Sequence, residues 1–343
     1  MGCGSSASEF DCMKDHYSGG NRATGNQSFA NHWRDWINPA TVQSAHDVGL
    51  NTIRIPTGYW SYSAIVDTAS EPFADPAPML QYLDGVVQKA ADLGMRPTRR
   101  RLYRPEQQTS RLLQQLQLRP RREVALMDDQ RINTNSAYSS VGMIEVLNEP
   151  VSDHDANGRY PAPGEVPGLI QSYYSAALQA VRDAEASLNV ADNKRLHVQS
   201  MSKKWGSGVP RATSAIQNDP MTAYDDHNYI GFALSGSSDK SALMHSACTD
   251  SRVVSGQDFA LTGKWSVTSG VDQNDADWFK MWFTAQQLTY EKPGMDGWVF
   301  WTWKTELNDP RWTYVYATYV GLMPTDAAGL EKNVYRDVCA GYR

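Results

Sequence analysis

The sequence has no apolar run approaching the roughly 20 residues that a bilayer-spanning helix needs, so no membrane span is expected. It also lacks a surplus of positive charge. The 32 Lys and Arg stand against 38 Asp and Glu, a formal −6, which argues against a nucleic-acid partner, because such binding rests on cations meeting phosphates. Cysteine is scarce: Cys3, Cys12, Cys248 and Cys339 are too widely spread for a metal motif, and no metal or other cofactor is expected. Two disulfides in a secreted protein, or four free thiols in a reducing compartment, both remain open. The N-terminus has no basic, apolar leader. Met1-Gly2-Cys3-Gly4-Ser5-Ser6 fits a myristoylation pattern, but nothing else in the chain has a signalling character. Asn26-Gln27-Ser28 is the one glycosylation triplet. No linker or low-complexity tract divides the chain, so residues 1–343 are expected to form one domain, and a monomer.

What is abundant is aromatic. Eleven Trp and 17 Tyr, within a hydrophobic content of 41%, suffice for a large core and leave rings with polar tips to stack on the apolar faces of sugars. The chain is organised around Met143-Ile144-Glu145-Val146-Leu147-Asn148-Glu149-Pro150. As a strand it alternates sides and stops at a proline, which cannot continue a ladder. An amide and a carboxylate are then left at its C-terminal mouth, where an α/β barrel carries its chemistry.

Around that strand a βα rhythm recurs. A helix over 39–48 is closed by Gly49 and followed at once by a strand at 51–56. A second helix, 79–93, carries Leu80, Leu83, Val86, Val87 and Ala90 on one stripe and is closed by Gly94. Helices are expected over 166–186 and 275–290, and strands at 142–148, 195–200, 223–228, 259–265 and 297–301. That is an α/β fold, a (β/α)8 TIM barrel, incomplete because two strands are unaccounted for: one expected before residue 30, where the Gly-, Ser- and Asn-rich text reads as irregular, and one after Met95.

The second gap is anomalous. Nine arginines fall between 96 and 122 of an acidic protein. A buried strand cannot hold unpaired guanidinium groups without a large desolvation cost. A basic patch for an anionic partner is one reading. A translated frame-shift over the aberrant segment 96–131 is the reading preferred. Codons exist for Leu113 to Asp129 whose one-base shift yields an amphipathic helix, and Met127-Asp128 forces a tryptophan there.

Arg54-Ile55-Pro56, Leu147-Asn148-Glu149-Pro150, His227-Asn228-Tyr229 and Trp298-Val299-Phe300-Trp301 appear in an order and spacing that resembles glycoside hydrolase family 5, and within it the fungal-type exo-β-1,3-glucanases. The resemblance runs from about Asn31 to the C-terminus, 96–131 excepted. It implies a retaining hydrolase of β-1,3-glucan, extracellular or in the cell wall, with two carboxylates about 5–5.5 Å apart. It implies Glu149 as acid/base, Asn148 on the sugar 2-hydroxyl, Arg54 orienting the nucleophile and Tyr229 donating to it. His227 would line the same subsite and Trp301 would be the stacking platform.

One departure decides what such a site can do. The family's Gly-Glu-Trp-Ser, whose Glu is the nucleophile, reads Gly263-Lys264-Trp265-Ser266 here. Lysine cannot form a glycosyl ester, and its charge should depress the proton affinity of Glu149. Glu306 is the least implausible substitute. An inactive β-glucan-binding protein, or a defective gene copy, are therefore the alternatives to an active enzyme.

Overall fold

The structure is a computed structural model. It describes residues 3–342 apart from 5, 7, 64–70, 102–124, 126, 127, 150–167, 206–209, 308 and 326–336, and only the backbone of 96–101, 168–172 and 212. The chain gathers into two compact units. The first comprises Met1–Ser44, Ile55–Asn148 and Ser172–Leu196; the second comprises Ala45–Arg54, Glu149–Gln171 and His197–Arg343.

The first unit begins with two helices, Glu9–His16 and Arg22–Asp35, where irregular structure was expected. The side chain of Ser8 caps the first by accepting the Asp11 amide at 3.1 Å. Glu9 and Asp11 in its first turn and Lys14 and His16 in its last complement the helix dipole. The glycines that made this text look irregular have a packing role. A Cβ on Gly25 would lie 2.7 Å from the Met13 sulfur and the Tyr17 side chain, so the missing side chain lets the two helices meet. Cys12, Met13, Phe29 and Ala74 form a small buried cluster, and a Cys3–Cys12 disulfide ties the N-terminus to it. With its sulfur in that bond, Cys3 is not available to carry a lipid.

The helix Ala77–Asp92 buries Leu83, Val86, Val87 and Ala90, as its periodicity requires. Gly94 closes it at φ 69°, a conformation glycine adopts without strain, and Met95 N–H donates to Ala90 C=O at 2.9 Å. Strand β1 is Thr52–Thr57, β2 is Arg96–Arg101 and β3 is Met143–Glu145. β2 and β3 belong to the first unit, and β2 runs parallel to β3 with Thr98 opposite Met143 and Arg100 opposite Glu145. The expectation that the third strand would be missing is thus corrected for 96–101. Ladder hydrogen bonds are made by backbone groups whatever the side chains, and the helix–glycine turn delivers the chain to that place. The end of the aberrant segment is also integrated. Arg131 forms a two-pronged pair with Asp84, which also accepts the Tyr138 hydroxyl at 2.7 Å. Within that segment, 102–124, 126 and 127 lie outside the described residues.

In the second unit β4 (His197–Met201), β5 (Thr222–His227), β6 (Ala260–Trp265) and β7 (Trp298–Phe300) follow one another in parallel. Helices Lys240–Thr249 and Ala276–Tyr290 fall between them in the chain. Trp265 is the hub of the core: it is fully buried, with ring centroids of Phe283, Tyr290, Trp298 and Phe300 at 5.1–5.3 Å. The contacts with Tyr290, Trp298 and Phe300 are edge-on, and such aromatic pairs each add about 0.5–1.5 kcal/mol beyond area burial. The Cys248–Cys339 disulfide closes the C-terminal segment onto this core across 91 residues. Among the described residues no helix is long and apolar enough to cross a membrane.

Two acids in the first unit make its stability pH-dependent. Burial pushes Glu9 up to about 7, against hydrogen bonds from the Ala74 amide and the Trp60 indole. Burial, joined by repulsion from Glu185, also pushes Asp129 up to about 7. A carboxyl raised in the folded state stabilises it below the unfolded value near 4.5, and that contribution is lost as pH rises through 7. For Glu9 the ceiling is about 3 kcal/mol, at 1.36 kcal/mol per pH unit. Denaturant melts should show stability falling from pH 5 to pH 8. Glu9→Gln should remove part of that slope, and Glu9→Gln with Asp129→Asn most of it.

Candidate active site

The irregular ladder between β5 and β6 builds the site. Asp225 pairs with Leu261 and Asp226 with Thr262, after which the register shifts so that His227 stands opposite Lys264. Such bulges re-aim side chains at strand ends. Asp226, on the other face of β5, is held by the two-pronged guanidinium of Arg252. Asp225 and His227 face the opposite way. On β6 the same alternation sends Trp265 into the aromatic core and Lys264 away from it, so packing of the tryptophan fixes where the lysine points.

Lys264 Nζ donates to Glu149 Oε1 at 2.9 Å, and His227 Nδ1 lies 2.6 Å from the same oxygen. The other ring nitrogen of His227 is 3.3 Å from Asp225 Oδ2, which is 4.0 Å from Arg54 Nη2. Trp301 underlies both cations, with Lys264 Nζ at 4.6 Å and Arg54 Cζ at 5.9 Å from its ring centroid. Arg54, Asp225, His227 and Lys264 are all buried, while Glu149 keeps 31% of its side chain exposed. The site is a chain of alternating charges with one carboxylate open to solvent.

Glu149 has φ 45°, the left-handed region that costs a non-glycine residue strain and recurs at functional positions. That turn also explains why β3 ends at Glu145 and not at 148 as expected: the extended chain breaks before the motif is reached. Asn148 is buried immediately before it. Burial alone would raise the Glu149 carboxyl, but the His227 hydrogen bond and the Lys264 charge outweigh it and pull it down to about 2. A group ionised so strongly is a poor proton donor at neutral pH.

Of the residues expected from sequence, Arg54, Glu149, His227, Lys264 and Trp301 meet in this cluster. Tyr229, two residues beyond His227, packs its ring with Phe232 and Trp312, at 5.7 Å from each. Glu306, the candidate substitute nucleophile, is exposed on the loop after β7. Sequence reasoning missed Asp225. Its signal was available, since a residue two before His227 on a strand shares its face. It also missed Trp205, whose ring centroid lies 5.2 Å from that of the imidazole.

No family model matches the chain. The glucan endo-1,6-beta-glucosidase B of Emericella nidulans is 34% identical over 347 residues, covering 95% of this chain and 80% of that protein. The chain belongs to glycoside hydrolase family 5. A probable glucan 1,3-beta-glucosidase A of Neosartorya fischeri is 26% identical, covering 86% of this chain and 76% of that one. Among solved structures, rutinosidase from Aspergillus niger aligns with a TM-score of 0.64 at 17% identity, over 93% of this chain and 89% of that one. A GH5-4 broad specificity endoglucanase from Clostridum cellulovorans aligns with a TM-score of 0.57 at 13% identity, over 87% of each. These likenesses establish the incomplete (β/α)8 barrel. This family 5 glycoside hydrolase is thus less similar to the 1,3-glucosidase that sequence motifs brought forward than to the endo-1,6 enzyme.

In this family 5 chain, Lys264→Ala should raise the Glu149 carboxyl from about 2 toward the ordinary carboxylate range, because one of its two cationic or donor partners is gone. A ¹³C titration of glutamate carboxyls reads this directly. An unmoved resonance would mean that His227 alone holds Glu149 ionised.

Proposed function

We propose that this chain engages β-glucan at the Glu149 site and, with Lys264 where the retaining mechanism needs a carboxylate, turns it over negligibly. The supporting observation is the 2.9 Å contact between Lys264 Nζ and Glu149 Oε1. Retention requires a nucleophilic carboxylate about 5–5.5 Å from the acid/base, and the ammonium lies within hydrogen-bonding distance of the latter. It offers no lone pair for a glycosyl ester while protonated, and it keeps Glu149 ionised when the leaving oxygen needs a proton. In this reading Glu149 is the acid/base that remains, Asn148 holds the 2-hydroxyl, and Arg54, His227 and Tyr229 line the same subsite. Trp301 is the floor on which the sugar ring stacks. The similarity of the endo-1,6 relatives favours a β-1,6-glucan over the β-1,3-glucan implied by the motifs. The two disulfides suit an extracellular or cell-wall setting.

The test compares the parent chain, Lys264→Glu and Lys264→Glu with Glu149→Gln on soluble β-1,6- and β-1,3-glucans. Measurable affinity without sugar release is expected for the parent. Restoring the carboxylate should raise hydrolysis by about 10⁴–10⁶-fold, the scale on which a nucleophile is lost elsewhere, with β-1,6-glucan preferred, and removing Glu149 should abolish it again. Robust sugar release by the parent chain would show that another group serves as nucleophile. Absence of binding to either glucan by soluble, folded protein would remove glucan as the ligand.

A further inference from the structure

We propose that Asp225 is a positioning residue that holds His227 as a doubly protonated imidazolium and through it fixes the Glu149 carboxylate. The inference rests on the reading of Glu149 as the reacting carboxyl. Asp225 itself is fully buried and acts through the ring.

The first argument is a count of protons. Both ring nitrogens of His227 meet carboxylate oxygens, Nδ1 at 2.6 Å from Glu149 and Nε2 at 3.3 Å from Asp225. A neutral imidazole has one N–H, and its other nitrogen is an acceptor. Glu149 is ionised, with Lys264 donating to the same Oε1, so it only accepts and Nδ1 must carry a proton. Asp225 faces the Arg54 guanidinium, which stays cationic in any accessible pH range and favours the ionised carboxylate. An ionised oxygen facing Nε2 demands a second N–H. Two donated protons make an imidazolium bridging two carboxylates, and charge-assisted bonds of that kind are about twice as strong as neutral ones.

The second argument is steric. Gly263 on β6 has no side chain, and a Cβ there would lie 1.9 Å from Asp225 Oδ1. The carboxylate fills the space that any other residue at 263 would occupy, and is held between its own strand, Arg54 and the neighbouring backbone. The Trp205 ring packs against the imidazole at a steep angle, with ring centroids 5.2 Å apart, limiting its rotation. Asp225 therefore sets the orientation of a ring whose other nitrogen aims at Glu149, a contact distinct from the Lys264 ion pair.

Histidine-selective ¹⁵N labelling and long-range ¹H–¹⁵N correlation at pH 7 test this on the full chain, with His227→Gln assigning the resonances. Both nitrogens of His227 should fall in the protonated range, and remain there well above the ordinary histidine value of about 6.5. Asp225→Asn, which keeps the shape, should move Nε2 into the unprotonated range and leave Nδ1 protonated. An unprotonated Nε2 in the parent chain overturns the proposal, and so does an Asp225→Asn spectrum identical to the parent. The parent spectrum decides the matter even if the variant does not fold. A purely structural Asp225 would lower the melting temperature without changing the Nε2 resonance. Failure here with glucan affinity intact sinks only this proposal; an intact imidazolium with no glucan affinity sinks only the functional reading.

Discussion

The contact between Lys264 and Glu149 governs the rest of the site. Two buried or partly buried groups of opposite charge are tolerable only as a pair, because either alone would carry an uncompensated desolvation cost. Around them the sequence of charges continues through His227, Asp225 and Arg54, so that each buried charge meets an opposite one or a donor. The charges are linked in series, which makes a single substitution in the cluster consequential for several partners. It also explains why an ammonium can occupy this place in a folded chain: Glu149 neutralises it and the face of Trp301 accepts its charge.

The scaffold that makes this possible is the second unit's core. Trp265 anchors β6 from behind with a shell of rings, and alternation along the strand then projects Lys264 in the opposite direction. The register shift between β5 and β6 brings His227 level with it. On the far face of β5, Arg252 locks Asp226 and accounts for one of two adjacent buried aspartates; Asp225 is left to serve the site. A glycine at 263 is needed because the β5 carboxylate passes where a side chain would be.

Much of this was legible without coordinates. Period-3.6 stripes and closing glycines located the helices at 39–47 and 77–92, and apolar runs located β4 to β7, because burial of one face is a local property of the text. The resemblance to family 5 implied that Arg54, Glu149, His227, Lys264 and Trp301 are neighbours. The N-terminal helices were not legible, since Gly25 lowers local helix propensity and repays it only through packing against Met13 and Tyr17. Nor was β2, whose arginines argue against a strand that backbone pairing with β3 nevertheless forms.

By itself, the sequence determined the family and the barrel's rhythm. It also carried Gly263-Lys264-Trp265-Ser266, a cation within the motif that the functional proposal turns on, because these depend on residue identity and spacing. Tertiary structure alone decided which charges pair. The 2.9 Å approach of Lys264 to Glu149, 115 positions apart, and the bridging of Asp225 and Glu149 by one imidazole arise from strand register and a left-handed turn at Glu149. Those are properties of how distant segments are laid side by side, and no local pattern encodes them.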